Sequence, residues 1–241
     1  DQFMQFDFEA ENAYDDATML LIDFANGDLS QVYMPVMAVN RTGLPNLYDP
    51  SLSIPDNPAI WVITPQFADA ILYEPALKTP TFASVEAECK LDAYKENLDI
   101  KVTGNITEGV LPEDEQLYLS VYVMEDDVFT DSQEMPDDAE FNALYPDGTY
   151  MQQNVIRLCL TPLYGTAVGK SGSFSKEFTV ELDSEWKVDD MSVVAFLTRS
   201  EKNDCMNRTV INATETFLSD ADGVESIAAG RAENAAQQIF S

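Results

Sequence analysis

The chain contains no histidine. That removes the commonest general base, the usual Ser-His and Cys-His nucleophile pairs, and most zinc and haem sites. Any catalysis would rest on carboxylates, Lys, Tyr or a Ser-Lys pair. Basic residues are scarce: 13 Lys and Arg stand against 43 Asp and Glu, a formal charge of −30. Such a surface repels nucleic-acid phosphates and anionic lipid, and attracts cations and basic partners. Cysteine is limited to Cys89, Cys159 and Cys205, none of them in a C-x-x-C pair. Three scattered thiols fit neither a disulfide framework nor a metal site. Cys89 and Cys159 lie in apolar alternation and read as small buried hydrophobes; one disulfide among the three stays open. No apolar run reaches the roughly 18 residues of a membrane helix. The opening "DQFMQFDFEA" has neither a basic n-region nor a starting Met. It reads as a cut or ordered boundary, without a signal peptide.

What is present fits a globular protein. At 241 residues and 45% apolar content, one or two domains with a sizeable core are expected. The first eighty residues read as mixed α and β. "ENAYDDATMLLIDFANG" places Tyr14, Ala17, Leu21 and Phe24 on one helical face, with Gly27 as a stop. "VYMPVMAVN" is a short apolar run interrupted by Pro35, which suits an edge, a strand start or a special cis turn. "WVITPQFADAILYEPAL" suggests a second helix, capped by Thr64 with Pro65 at its first position.

From about Thr81 the period changes to two. "SVEAECKL", "LDIKVTGNI" and "LYLSVYVM" alternate apolar with polar or aromatic residues, and "NVIRLCL", "FTVEL", "MSVVAFLT" and "VINATETFL" continue the theme. Seven candidate strands with turn residues in most gaps predict an antiparallel two-sheet sandwich, each sheet with one buried face.

The richest chemical feature is the acidic stretch after the third of these strands, "MEDDVFTDSQEMPDDAE". It offers oxygen ligands for calcium, with Asp126, Asp127 and Asp131 as candidates, but not at EF-hand spacing. The competing reading is a solvated loop between strands. A glycosidase-like carboxylate pair needs a defined separation across a cleft, which spacing in sequence does not supply. "DADG" at 220–223 reads as a turn between modules. Four N-x-[ST] sequons occur, at Asn40, Asn105, Asn207 and Asn212; the last falls mid-strand, against use as a glycan site. "GKSGSFSK" lacks P-loop spacing and a following helix, so Lys170 and Ser171 mark a hairpin turn, and Ser173 or Ser175 with Lys170 has no catalytic context.

Taken in order, "MPVMAVNR", "PTFASVEAECKLDAYKENLDIKVTGNI", "LYLSVYVMEDDVFTDSQ", "YMQQNVIRLCLTPLYG", "WKVDDMSVVAFLTRS" and "VINATETFL" resemble the 28-kilodalton outer membrane protein (Omp28-related) family of Gram-negative surface proteins, over about residues 30–218. The resemblance implies a thioredoxin-like N-terminal half and a C-terminal β-sandwich, with Pro35 at the position of the thioredoxin cis-proline. It carries over no redox activity, because no cysteine pair matches the one that family members often have. The family pattern also has a His just before the "NVIR"-like strand, where this chain has Gln152 and Gln153. The tail "DGVESIAAGRAENAAQQIF" resembles the opening of a type IX secretion sorting domain, cut short at its apolar end.

The expectation is therefore an α+β protein: an incomplete thioredoxin-like α/β domain over 1–80, a seven- to eight-stranded antiparallel β-sandwich over 81–219, and a linker with the start of a sorting domain over 220–241. The expected function is non-enzymatic binding or adhesion at the outer membrane surface or as a secreted protein. The expected partner is an extracellular protein or glycan, with no nucleic acid and no transmembrane helix; no cofactor is required, although calcium fits. Two alternatives accompany it: a redox accessory whose thiol pair lies outside this chain, and a calcium-stabilised adhesin.

Overall fold

The computed structural model describes residues 80–129, 150–162, 164–199 and 209–218, together with the backbone of residues 5–6. These residues form strands β1 (Gln5–Phe6), β2 (Ala83–Leu91), β3 (Asn97–Ile106), β4 (Leu117–Glu125), β5 (Val128–Phe129), β6 (Met151–Gln152), β7 (Val155–Cys159), β8 (Thr166–Gly169), β9 (Gly172–Glu181), β10 (Met191–Arg199) and β11 (Val210–Phe217), plus one 3-10 turn at Val188–Asp190.

This corrects the α+β expectation. Among the described residues there is no α-helix and no α/β thioredoxin-like domain; these residues form β-strands joined by turns. The two helices drawn from sequence, and Pro35, lie outside the described residues. The described strand of the 1–80 region, β1, lies parallel on β7, with Gln5 opposite Val155 and Phe6 opposite Ile156. The period-two pattern decides the architecture because a hydrophobic repeat of two can bury one face only as a strand.

One sheet runs β1-β7-β4-β10-β11, with β8 also paired to β4; a second runs β2-β3-β9; β5 and β6 pair separately. Apart from β1 on β7, the pairs are antiparallel. The first faces of the two larger sheets share one core. Val85, Leu98, Ile100 and Val102 from the three-stranded sheet meet Leu119, Val121, Val123, Val193, Ala195 and Leu197 from the larger one. Each such side chain contributes roughly 1.5–3 kcal/mol when fully buried. The seven strands read from sequence are all present, several with extended bounds. β5, β6 and β8 were not foreseen.

Two details differ from the sequence reading. The Lys170–Ser171 turn is not a paired hairpin. Gly169 and Gly172, at φ 100° and 83°, carry the chain from β8, bonded to β4, across to β9, bonded to β3. The turn thus passes between sheets, which a run of turn residues does not distinguish from a hairpin. The second difference concerns burial. β2, β3 and β9 largely alternate inward and exposed positions, whereas β4 and β10 are buried along nearly their whole length on both faces.

The edge of β2 away from β3 is closed by side chains of β11: Asn212 Nδ2 donates to the Ala83 carbonyl and Thr216 Oγ1 to the Ala87 carbonyl. Asn212 is thereby committed to the fold.

Candidate functional site

One end of the sandwich gathers the β2–β3 turn, the turn after β4, the start of β7 and the β9–β10 loop. The acidic segment leaves from this end, after Phe129, and the chain returns to it at Tyr150. Its centre is Glu125, the last residue of β4, which is almost fully buried. Glu125 Oε2 accepts a hydrogen bond from Arg157 Nε at 2.8 Å, and Oε1 accepts one from the Lys187 backbone N–H at 3.0 Å. The Arg157 guanidinium also lies over the Trp186 ring, 5.7 Å from its centroid, a cation–π position. Burial pushes the Glu125 carboxyl above its usual range; the Lys187 N–H and the Lys187 charge pull it down, and Asp190 pushes it up. Burial likewise lowers Arg157, opposed by the nearby Asp183 charge.

The neighbouring carboxylates are also engaged. Asp126 Oδ1 accepts from the Asn154 N–H at 2.7 Å, and Asp127 Oδ1 from Gln153 Nε2 at 2.6 Å. The Asp126 N–H donates to the Asp190 carbonyl, and Lys187 Nζ donates to the Asp127 carbonyl. Asp127 and Asn154 sit at φ 55° and 58°, the left-handed region that Asp and Asn tolerate better than most residues. In the β2–β3 turn, Asp92 accepts from the Tyr94 and Glu96 N–H groups and from Asn97 Nδ2. These bonds, led by the one from Asn97, hold its carboxyl below the usual range. Lys95, at positive φ, bridges from this turn to Asp189.

The acidic residues at this end therefore organise loops. Of the three calcium candidates, Asp126 and Asp127 are each tied to a donor from the two residues just before β7, and Asp131 lies outside the described residues. Among the described residues no group of three or more Cys, Asp and Glu side chains converges as for a metal ion. Gln153 stands next to Asp127 and donates to it. Cys89 and Cys159 are partly buried, and burial pushes the Cys89 thiol up to about 12; Cys205 and the sequons Asn40 and Asn207 lie outside the described residues. Asn105 is exposed on β3.

The sequence reading missed Arg157, Trp186 and Lys187. A signal was available: a lone Arg inside "NVIRLCL" next to a strand that ends in Glu is a charge at a buried position, which requires a partner.

A sequence model of the family described as "Outer membrane protein Omp28" matches residues 58–219. The chain belongs to the Omp28 family. That membership places the protein at the outer membrane or cell surface. Among solved structures, HBP35 of Porphyromonas gingivalis is similar at a TM-score of 0.62 and 20% identity, over 89% of this chain and 62% of that one. The chain thus spans less than two thirds of HBP35, and the likeness concerns fold alone. A domain of the outer membrane lipoprotein Omp28 from Porphyromonas gingivalis matches at 17% identity and a TM-score of 0.35, over 57% of this chain and 88% of that one. A comparison with curated protein sequences finds no match. Among the described residues of this Omp28-family chain, no helix is long and apolar enough to cross a membrane.

Proposed function

We propose that this Omp28-family protein is a non-enzymatic binding module displayed at the bacterial surface, which meets an extracellular partner with its loop end. The observation that carries this reading is the use of the buried charge. Both oxygens of Glu125 are engaged, by Arg157 and by the Lys187 N–H, so the most desolvated carboxylate at this end is a structural anchor. A general acid or nucleophile needs a carboxylate free to meet substrate. Around this anchor Tyr94 and Phe129 are 82% and 58% exposed. Aromatic side chains standing in solvent beside polar loops suit protein recognition. The chain's charge of −30 favours a basic partner. Export by type IX secretion, with residues 220–241 opening the sorting domain, completes the reading and rests on their resemblance to such domains.

The test uses cells carrying the full-length protein. Antibody and protease access on intact cells reads display. Adhesion to immobilised basic and neutral extracellular proteins, with and without Tyr94→Ser/Phe129→Ser, reads binding. Display together with salt-sensitive adhesion lost in the variant, at an unchanged melting temperature, is the expected result. Protein sealed inside the envelope, or adhesion indifferent to the substitutions, overturns the proposal.

A further inference from the structure

The three-stranded sheet ends in β9, a ten-residue strand with β3 on one side. Among the described residues no strand pairs with its other side. An edge of that length is a template for pairing with a second chain. The core-face positions of β9 are Phe174, Lys176, Phe178 and Val180, opposite Gly104, Val102, Ile100 and Leu98 of β3. Phe174, Phe178 and Val180 pack against the shared core. Lys176 interrupts this apolar row, at a half-buried position opposite the fully buried Val102. A lysine in such a place lays its stem on apolar surface and keeps its ammonium in water, here toward the open side of the strand. A strand added on that side would strip the water from it. The outer face carries a second constraint. Glu177 lies opposite Lys101, and Lys101 opposite Glu88, so charge alternates across the sheet.

We propose that Lys176 and Glu177 guard the open edge of β9 against pairing with a second copy of this chain. Register decides this. Residues directly opposite in an antiparallel pair share a face. Two copies of β9 related by a twofold axis must therefore match core face to core face. Setting Gly172 opposite Glu181 of the copy joins core face to outer face, and so fails. The nearest registers that match faces set Gly172 opposite Val180, or Ser173 opposite Glu181. In the first, Lys176 meets its own counterpart. In the second, Glu177 meets its own counterpart. Like charges directly opposite destabilise a strand pair, so each register is penalised at its centre. The first would otherwise be favourable, because Phe174 meets Phe178 of the copy on either side of Lys176, and aromatic pairs support a sheet. Lys176 is thus the residue whose loss opens the edge. The inference is independent of the binding reading above.

The experiment measures self-association of the full chain by size-exclusion chromatography with light scattering, over a dilution series. Lys176→Leu is compared with wild type and with Lys101→Leu, which loses the same charge from the exposed outer face of the central strand β3. Lys176→Leu is expected to associate at a concentration about tenfold or more below wild type. Its β9 peptide is expected to exchange amide hydrogens more slowly in the associated form than in the dilute one. Lys101→Leu is expected to behave as wild type. Equal association of Lys176→Leu and wild type, equal association of the two variants, or β9 exchange unchanged by association overturns the proposal. A circular dichroism melt reports whether each variant is folded; an unfolded Lys176→Leu is replaced by Lys176→Thr, neutral and suited to strands, with the same outcomes.

Discussion

The side-chain amide of Asn212 donates to the Ala83 carbonyl at 2.9 Å, and four residues further along both strands Thr216 Oγ1 repeats the contact with Ala87 at 2.8 Å. The two sheets meet along this seam without a backbone ladder. Side chains of β11 occupy edge carbonyls of β2, which also guards that edge against pairing with another chain. Replacing Asn212 by Ala removes one donor and is expected to lower stability by about 1 kcal/mol. Asn212→Asp is expected to be worse than Asn212→Ala, because a carboxylate oxygen then faces a carbonyl oxygen. Urea unfolding of the three proteins gives the order, and an Asp variant as stable as wild type refutes the seam.

Gly104 of β3 lies opposite Val85 and Phe174. A Cβ at this position would stand 2.1 Å from the Ser84 carbonyl oxygen and 2.4 Å from Phe174 Cζ. The ring therefore fills the space a side chain would take. Gly104→Ala is expected to cost about 2 kcal/mol or more, read as a lower melting temperature. Adding Phe174→Leu should recover only part of the loss, because the closest obstacle is backbone. Full recovery would assign the strain to the ring alone.

Cys89 belongs to β2, faces the shared core and has its thiol pushed up to about 12 by burial. A thiol held protonated and shielded reacts slowly. A disulfide-exchange reagent at mildly alkaline pH is expected to leave Cys89 unmodified in the folded protein and to modify it in denaturant, as peptide mapping would show. Fast labelling of the native protein would place the thiol outside the core.

Much of this sandwich was legible because alternation is local. In β2 and β3 each apolar residue announces its face, and Leu98, Ile100 and Val102 are buried where the pattern put them. The same rule failed on the second face of β4. Tyr118, Ser120 and Tyr122 read as a half-polar outer side, yet Ser120 and Tyr122 are buried, because alternation along one strand does not report what packs on its second face. The candidate site was legible as acidic and not as organised. Nothing in "MEDD" says that Asp126 will take the Asn154 N–H or Asp127 the Gln153 amide. Those donors come from across a gap of more than twenty residues, and their positions depend on the turn φ values of Asp127 and Asn154.

Glu125 and Arg157 form a nearly buried ion pair, with side chains 2% and 13% exposed. Such pairs contribute little net stability but cost heavily when broken. Arg157→Ala leaves a desolvated carboxylate and is expected to lower stability by about 3–5 kcal/mol. Arg157→Lys keeps the charge but loses the planar contact with Trp186, and should fall between wild type and Ala. Replacing both partners together, Glu125→Leu with Arg157→Met, is expected to cost less than Arg157→Ala alone. A double replacement as damaging as the sum of the single ones would show that the two residues act independently.

The pH response of the same carboxylate has a definite sign. Burial raises the Glu125 pKa in the folded protein above its unfolded value, with Arg157, Lys187, Asp190 and, through Arg157, Asp183 as the surrounding charges. Between the two values the folded state binds more protons than the unfolded state. The group's contribution to stability is therefore fully present below the unfolded pKa and is lost as pH rises through the folded one. Glu125→Gln cannot titrate and lacks this term. Subtracting the unfolding free energy of Glu125→Gln from that of wild type, measured by urea between about pH 4 and pH 7, should give a difference that grows more favourable to wild type as pH falls. Asp92, whose carboxyl is held low by Asn97 and the Glu96 N–H, acts in the opposite sense: its contribution is present above the unfolded value and is lost as pH falls through the folded one. The Glu125→Gln subtraction cancels that term, since Asp92 is common to both proteins. A difference that is flat, or that grows toward neutral pH, would mean that Arg157 and Lys187 outweigh desolvation and that Glu125 is a net stabilising anion.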